Sequence, residues 1–340
     1  MRAAAILGLG CSPHSVDPFR KNAATAWTIG LPQSSDETDA IAIFGGDGTI
    51  HRHLAALAKL HLPVLIVPVG SGNDFARALN LHTPKHSLAA WQQFVETGQN
   101  LQTIDLGTIT PLNSTDGTHL FCCVAGCGLD AEVARRANAL PRWMRAHGGY
   151  ALSVPAALLS YKTPNMKVLI ADDRDAYVVC RDQPTLLTAL ANVPAYGDGM
   201  KIAPRAKIDD GQLDICFIDQ ISRTKLLRLF PTVYFGKHLG IPEVHYFQAK
   251  RLKLESDRPL DVYADGEYVC QTPIEVGVAR AAMTHAEMLR GTHTGRLRGA
   301  WAFITCGSSS PAKTSIPSST PHKSRGKFCS RSNLALAQNP

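Results

Sequence analysis

The chain has 340 residues and a mass of 36.7 kDa, which is enough for about two domains. Its 45% hydrophobic and 19% charged content is ordinary for a globular protein. No apolar run approaches the roughly 18 residues of a membrane span, so we expect no transmembrane segment. Nine cysteines without a repeated Cys-x-x-Cys spacing fit a reducing cytoplasm, which we predict as the location.

The positive charge is unevenly distributed along the chain. The formal net charge is +7, but the segment 303–340 contains five basic residues and no acidic residue. Residues 1–302 are therefore close to neutral, and we expect no nucleic-acid partner. We predict that the Ser- and Pro-rich segment 303–340 is disordered. Its basic charge favours an anionic membrane surface, although a simply solvated tail remains the alternative.

The first hundred residues alternate between predicted strands and helices. Short buried strands are predicted at residues 3–9, 26–29, 41–44 and 64–69. Apolar residues at helical spacing predict a helix after Thr49, and a second helix is expected over 88–97. Only about 40 residues precede the third strand, so one helix is expected to be reduced or missing there. This pattern indicates an α/β domain.

Two glycine-rich loops follow the third and fourth predicted strands. The loops are Gly45-Gly46-Asp47-Gly48-Thr49 and Gly70-Ser71-Gly72-Asn73-Asp74-Phe75-Ala76-Arg77. Neither is a P-loop or a G-x-G-x-x-G fingerprint. Glycines let backbone N–H groups approach a phosphate closely, and ligands of open α/β sheets bind at the carboxyl ends of strands. The loops therefore predict an anion site, with a plain glycine turn as the structural alternative.

Beyond residue 101 the pattern becomes one of short strands. They are predicted at residues 103–109, 120–124, 166–170, 186–191, 213–218, 251–255 and 260–263. Helical segments interrupt them at 150–161 and 225–236, and the first could be core or cover acyl chains. The clustered Cys122, Cys123 and Cys127 lie in an apolar run and are interpreted as small buried residues rather than metal ligands. A second, β-rich domain is expected.

Two acidic turns complete a set of four motifs in one order. Asp209-Asp210-Gly211 with Asp214 precedes Asp265-Gly266-Glu267. Together with the two glycine loops, they resemble the diacylglycerol kinase catalytic-domain family, whose relatives include sphingosine and ceramide kinases and bacterial soluble lipid kinases. The resemblance extends over roughly residues 1–290. The first glycine loop alone would be ambiguous, since NAD kinases and phosphofructokinases share it.

The resemblance implies a fold of α/β plus all-β type. A doubly wound α/β nucleotide-binding domain, like that of phosphofructokinases and NAD kinases, would occupy residues 1–105. A β-sandwich would follow at 106–290, with 281–290 packing back on the first domain. The family's active site lies in the cleft between the domains. The implied reaction transfers the γ-phosphoryl group of ATP to a lipid hydroxyl, such as that of diacylglycerol.

The resemblance also assigns roles to the acids. Asp265 is predicted as the general base, with Glu267 orienting it, tuning its pKa or helping to hold Mg²⁺. Asp47 would position Mg²⁺ or the acceptor. Asp210 and Asp214 resemble a site where family members hold a structural Mg²⁺, although Asp-Asp-Gly can equally be a plain turn.

The nucleotide side has predicted residues of its own. The ATP-binding set is Gly45, Gly46, Gly48, Thr49, Gly70, Ser71, Gly72, Asn73, Asp74 and Arg77. Asp74 and Arg77 are spaced to pair on one helical face, which would bind nucleotide or merely fix the loop. Two departures from the family pattern lie here: Gly8-Leu-Gly10-Cys-Ser-Pro13 lacks the usual asparagine, and His51-Arg52 replaces Asn-Glu. Arg52 adds a cation near the expected phosphates.

The expected partner is a lipid substrate at a membrane surface, contacted peripherally, with a homodimer left open. Arg142, Trp143 and Met144 are candidates for the membrane contact. Two other functions remain open at this stage. One is an NAD kinase-like enzyme that acts on a soluble acceptor. The other is a non-catalytic relative that binds nucleotide or lipid, which the altered His51-Arg52 pair motivates.

Overall fold

A parallel sheet forms the first part of the fold. The computed structural model describes residues 1–21, 25–141, 144, 149–197 and 199–287. The first four strands are β1 Arg2–Leu7, β2 Ala26–Ile29, β3 Ala40–Gly45 and β4 Pro63–Pro68. They are all parallel, in the order β2-β1-β3-β4. Every residue of β3 is buried, as expected for a strand covered on both faces.

Four helices accompany this sheet. They are α1 Asp17–Arg20, α2 Asp47–Leu60, α3 Asp74–Ala78 and α4 Pro84–Thr97. Helix α2 buries Ile50, Leu54 and Leu57, which confirms the helical spacing predicted for this segment. Only a short 3₁₀ turn, Ser35–Glu37, lies between β2 and β3. This confirms the expectation that one helix is reduced or missing before the third strand.

Eleven strands make up the β-rich part of the described chain. They are β5 Leu101–Pro111, β6 His119–Phe121, β7 Val124–Gly128, β8 Asn165–Ala171, β9 Tyr177–Ala191, β10 Leu213–Asp219, β11 Val244–Ala249, β12 Arg251–Ser256, β13 Asp261–Ala264, β14 Glu267–Gln271 and β15 Ile274–Ala286. The helices here are α5 Leu129–Ala139, α6 Gly149–Ser160 and α7 Arg223–Leu229, and 3₁₀ turns continue α7 to Gly240. None of the described helices is long and apolar enough to cross a membrane.

These strands form a sandwich. One sheet runs β14-β13-β7-β9-β10-β11, and the other runs β6-β5-β15-β12-β8-β9. Strand β9 belongs to both, because its first half pairs with β8 and its second half with β7 and β10. Phe121, Leu190, Phe217 and Val262 are among the buried side chains of one apolar cluster in this part. The predicted fold class, an α/β domain followed by a β-sandwich, is confirmed.

Strand β15 joins the two parts. Thr284 and His285 pair in parallel with Pro63 and Val64 of β4, while most of the strand pairs antiparallel with β5. Residues 281–286 thus lie against the first sheet. The predicted boundary at residue 105 falls within the unbroken strand β5 and stays a prediction. The predicted tail 303–340, and Arg142 and Trp143, lie outside the described residues.

A buried aspartate braces this junction. The Asp105 side chain accepts hydrogen bonds from the backbone N–H groups of Gly211 and Ala281, each at 2.7 Å. Its carbonyl oxygen accepts a 2.9 Å bond from Asn192 Nδ2. Asp105 is only 5% exposed, so its charge is offset by these donors rather than by water. The side chain therefore fixes two separate segments to β5, and the backbone carbonyl fixes a third.

His285, on the joining strand, should make the protein sensitive to acid. Burial lowers the pKa of His285 to about 4. Between pH 6.5 and 4 the unfolded chain binds a proton at this residue that the folded chain excludes, so stability falls as the pH falls. The free energy of unfolding should fall by about 3 kcal/mol on going to pH 4. Urea unfolding at pH 7.5 and 4.5 should show a smaller pH dependence for His285→Gln than for the wild type.

The matched control is His14→Gln, because the His14 side chain is 90% exposed. This variant should keep the pH dependence of the wild type. An unchanged pH dependence in His285→Gln would contradict the assignment of acid sensitivity to the buried ring.

Candidate active site

A polar cleft of about 570 Å³ lies where the two glycine loops face the Asp265-Gly266 turn. Pockets of this size accept small-molecule ligands and cofactors. It is lined by eight residues of the predicted nucleotide set: Gly45, Gly46, Gly48, Thr49, Gly70, Ser71, Gly72 and Asp74. Asp47, Asp265 and Glu267, the three predicted catalytic acids, line it as well. The structure therefore brings together side chains from three motifs that are far apart in sequence.

The two glycine loops pack backbone against backbone. A Cβ atom added to Gly70 would lie 2.5 Å from the Cα of Gly46, closer than any real contact. Asn73 adopts the left-handed conformation with φ of 56°. Its Oδ1 accepts a bond from Gly70 N at 3.0 Å and its Nδ2 donates to Gly70 O at 2.6 Å. Through these two bonds Asn73 fixes the conformation of the second loop, but it does not line the cleft.

Asp47 ties the first loop to the second. Its carboxylate accepts hydrogen bonds from the backbone N–H groups of Asp74 and Phe75, both at 3.0 Å. Burial, and secondarily the charge of Asp74, raise the pKa of the Asp47 carboxyl to about 6. Asp74 itself pairs with Arg77, as the spacing predicted. Arg77 supports the loop and is not among the residues that line the cleft.

Asp265 occupies a tight hairpin turn. Asp265 and Gly266 have φ of 52° and 86° and connect β13 to β14, as in a two-residue type I′ turn. The Asp265 side chain is fully buried. Its Oδ1 accepts from Cys123 N at 2.7 Å, and its Oδ2 accepts from Cys122 N at 2.9 Å. The local structure at this predicted catalytic acid is therefore a hairpin turn with an inward-facing carboxylate.

His51 provides the third partner of Asp265. Its Nδ1 lies 3.0 Å from Asp265 Oδ2 and links helix α2 to the β-sandwich. Burial opposes protonation of the ring, but the hydrogen bond and charge of Asp265, with the charge of Glu267, outweigh it and raise the pKa of His51. The departure from the family pattern at residue 51 is therefore a cross-domain contact.

Glu267 has a different environment from Asp265. It is exposed, and its Oε1 lies 3.5 Å from where a Cβ on Gly48 would stand. Within the described residues we find no hydrogen bond to its carboxylate. Glu267, the first residue of β14, therefore extends into the cleft near the first glycine loop, while the Asp265 side chain is turned inward.

The cleft is also lined by two residues for which no role was predicted. Asp130 is 4% exposed and accepts a hydrogen bond from the Tyr196 hydroxyl. Both residues line the cleft and also an adjoining apolar pocket. Each lies beside a glycine-rich stretch, Gly126-Cys-Gly128 and Gly197, and that composition was the available clue. Their pairing depends on the contact between α5 and the loop after β9, which sequence spacing does not encode.

The predicted second metal site lies outside this cleft. Asp214 accepts bonds from Tyr246 Oη at 2.6 Å and Gln248 Nε2 at 3.3 Å. Asp210 accepts from Gln212 N at 3.1 Å and from the same Gln248 Nε2 at 3.2 Å. All four carboxylate oxygens thus already have a donor. A cation would have to displace the Gln248 amide, and Mg²⁺ binding by Asp210 and Asp214 stays a prediction.

Gly70→Ala should disrupt the contact between the two loops. The new methyl group would overlap the Gly46 backbone, and such overpacking costs about 1–3 kcal/mol. Urea unfolding should report this loss. Gly117→Ala is the control, because an added Cβ there meets no atom within 4 Å. Equal stability of the two variants would show that the loops separate without cost.

Comparison with known proteins identifies both halves of the chain. Residues 17–109 match the profile of the diacylglycerol kinase catalytic domain, and residues 123–286 match the YegS C-terminal NAD kinase β-sandwich-like domain. A diacylglycerol kinase of Mycobacterium tuberculosis is 37% identical over 256 residues, covering 75% of this chain and 78% of that protein. A diacylglycerol kinase of Bacillus subtilis is 27% identical over 241 residues, covering 70% and 74%.

A solved structure supports the fold. The crystal structure of a diacylglycerol kinase from Bacillus anthracis superposes with a TM-score of 0.60 at 19% identity, covering 84% of this chain and 97% of that one. At this identity the likeness concerns the fold alone. The sequence match to the mycobacterial protein and the two domain profiles carry the assignment further. The chain belongs to the diacylglycerol kinase family.

Proposed function

We propose that the protein is a lipid kinase that transfers the γ-phosphoryl group of ATP to the hydroxyl of diacylglycerol or a related lipid alcohol. One observation carries the proposal: a cleft lined by the two glycine loops and several carboxylates lies beside a pocket that is almost wholly apolar. Asp130 and Tyr196 line both cavities. A lipid alcohol has this same division, with a polar hydroxyl end and apolar chains.

The apolar pocket suits an acyl chain. Apart from Asp130, Tyr196 and His238, its lining is aliphatic, aromatic or thioether: Leu129, Val133, Val154, Leu186, Leu187, Met200, Ile202, Ile218, Ile221, Leu226, Leu229, Phe230, Val233, Ile241 and Val244. Its volume of about 80 Å³ is smaller than a full acyl chain needs, so the lining must separate on binding. Burial of methylene groups here would contribute about 0.8 kcal/mol each.

The cleft side supplies phosphate contacts. The first N–H groups of a helix lack intrahelical acceptors, and helix α2 begins at Asp47 directly after the two glycines. The helix dipole adds to the attraction for the phosphates of ATP. Arg52, one turn further on and exposed, lines the cleft and provides a cation. These groups would bind and orient the nucleotide.

The acids of the cleft are suitable for a magnesium ion. Asp47, Asp74 and Glu267 are carboxylates that line one cleft, and Mg²⁺ prefers oxygen ligands. We propose that Asp74 and Asp47 hold the ion and that Glu267 keeps its carboxylate free. Such an ion neutralises charge on the transferred phosphoryl group. The carboxylate of Asp47 meanwhile keeps the two loops together through its two backbone contacts.

We assign proton acceptance to Glu267 rather than to Asp265. A general base must present a free oxygen to the substrate hydroxyl. The Asp265 side chain is fully buried, and it accepts hydrogen bonds from Cys122, Cys123 and His51. Glu267 is exposed in the cleft, and Asp265 instead positions the turn that presents it.

The substitution Glu267→Gln should lower the transfer rate about 10²- to 10⁴-fold, the range of general-base catalysis, with little change in stability. Radiolabelled ATP with a total lipid extract measures the rate and identifies the labelled lipid. Glu96→Gln, an exposed acid on α4, is the control and should keep wild-type turnover. If Glu267→Gln retains turnover while folded Asp265→Asn loses it, then Asp265 is the base.

The same assay decides between the remaining functions. Label in a soluble acceptor and none in lipid would favour the NAD kinase-like alternative. Absence of turnover with every lipid fraction would indicate a non-catalytic relative. The apolar pocket argues against the NAD kinase-like alternative, because a soluble nucleotide acceptor has no apolar chain to bind there.

We further propose that residues 221–241, the capping segment, contact the membrane. Its inner side chains line the apolar pocket, whereas Leu227 and Phe235 point outward with 48% and 72% exposure. The segment contains four exposed cations and no acid: Arg223, Lys225, Arg228 and Lys237. Exposed apolar groups among cations favour an anionic lipid surface. Such contact would bring the lipid to the pocket from a cytoplasmic leaflet.

The double substitution of Leu227 and Phe235 by serine should weaken binding to anionic vesicles about 100-fold, since each side chain loses about 1.5 kcal/mol of burial. Co-sedimentation with phosphatidylglycerol vesicles measures this. The matched control replaces Val178 and Val179, which are 59% and 51% exposed on β9, by serine. Equal losses in the two double variants would overturn the assignment of this surface.

A further inference from the structure

Two thiols and a carboxylate converge beside the cleft. Cys122 Sγ lies 3.4 Å from Asp265 Oδ2 and 3.9 Å from Cys123 Sγ. One ligand atom from each of the three residues lies within 4.8 Å of the other two. Among the described residues, no other group of three or more His, Cys, Asp or Glu side chains brings its ligand atoms this close together. The proposed phosphoryl transfer gives the two thiols no role.

The separations between the ligand atoms match those expected around a tetrahedrally coordinated thiophilic ion. With Zn–S bonds of about 2.3 Å and a Zn–O bond of about 2.1 Å, ideal tetrahedral edges are about 3.8 Å between two sulfurs and about 3.5 Å between sulfur and oxygen. The observed separations of 3.9 Å and 3.4 Å are close to these values. Little movement of the side chains would therefore be needed.

The surroundings make the carboxylate a fixed ligand. The N–H groups of Cys122 and Cys123 and the Nδ1 of His51 all bond to Asp265. Such outer partners orient a ligand and sustain its affinity for a metal. The two cysteines are adjacent in the chain and their backbone is held by the same carboxylate. The three ligand atoms are thus positioned before any ion arrives.

Access is from the cleft. Cys123 and Asp265 line it, although Cys123 is only 3% exposed and the side chains of Cys122 and Asp265 are fully buried, so an ion would have to displace the groups that cover them. An ion held by three protein atoms keeps a fourth position, which water or a phosphate oxygen can take. Thiolate ligands select Zn²⁺ or Cd²⁺ over Mg²⁺, so this site would be chemically distinct from a magnesium site formed by carboxylates alone.

We propose that Cys122, Cys123 and Asp265 form a binding site for a thiophilic divalent ion such as Zn²⁺, and that its occupancy inhibits the enzyme. On binding, the two S–H bonds break, two metal–sulfur bonds form, and two protons leave to solvent. The inhibitory part rests on the proposed kinase function, because the ion would fix Asp265 and obstruct the cleft beside Glu267. The binding part does not depend on that function.

Cd²⁺ titration of the full chain tests the binding part. Cadmium bound to thiolates has a charge-transfer absorption band, and a competing chelator limits the titration to tight sites. The wild type should show one such site. Cys122→Ser and Cys123→Ser should each weaken it at least about 10- to 100-fold, since loss of a direct ligand exceeds loss of an outer partner. Cys127→Ser and Cys216→Ser, also fully buried, are the controls and should keep it.

Asp265→Asn tests the carboxylate ligand while leaving both thiols in place. Circular dichroism checks that every variant is folded. Folded Asp265→Asn should also lose affinity for Cd²⁺. Equal affinity of wild type and the Cys122, Cys123 and Asp265 variants would overturn the proposal and leave the two thiols as ordinary core residues.

Kinase assays separate the two proposals. Zn²⁺ should inhibit lipid phosphorylation by the wild type, and the chelator should restore it, whereas Cys123→Ser should resist inhibition relative to its own basal rate. Turnover without the Cd²⁺ site would overturn this inference alone. A Cd²⁺ site without lipid turnover under any condition would overturn the proposed kinase function and leave the binding site in place.

Discussion

The buried carboxylate of Asp265 is the contact on which the geometry of the site depends. It accepts bonds from Cys122 N and Cys123 N within the sandwich and pairs with His51 from helix α2. A buried charge is tolerated only when such donors surround it. The carboxylate therefore fixes the β13–β14 turn against the helix that follows the first glycine loop. Together with the pairing of β15 to β4, this group holds the two halves of the cleft in position.

Further polar contacts extend this arrangement. Asn192 donates to the carbonyl oxygens of Asp105 and Cys122 at 2.9 Å and 3.1 Å. Asp105 in turn holds the backbone at Gly211 and Ala281. Among the described residues the buried Asn192 Oδ1 has no hydrogen-bond partner, so this network is held by the amide donors of Asn192 and the acceptors of Asp105 without every member being satisfied. The wall of the cleft that contains Asp265 is thus continuous with the junction at strand β15.

The two cavities divide the chemistry between polar and apolar environments. Asp130 and Tyr196 lie at their boundary and bond to each other. At this boundary each of the two polar side chains provides the other with a hydrogen-bond partner. The thiols of Cys122 and Cys123 lie beside the cleft. They are soft metal ligands, whereas the neighbouring carboxylates are hard ones. That contrast is what would allow two kinds of metal ion to act at neighbouring positions.

The sequence by itself determined the α/β and β-rich halves, the two glycine loops and the acids of the cleft, because local periodicity and turn chemistry encode them. It missed strands β11, β14 and β15; β14, for instance, is a largely exposed strand without a clear apolar alternation. The inward direction of Asp265, its contact with His51, and the pairing of Asp130 with Tyr196 depend on residues 66 to 214 positions apart. Only tertiary packing decides such contacts, since the hydrogen-bond partner of a buried charge is chosen by what the fold brings beside it.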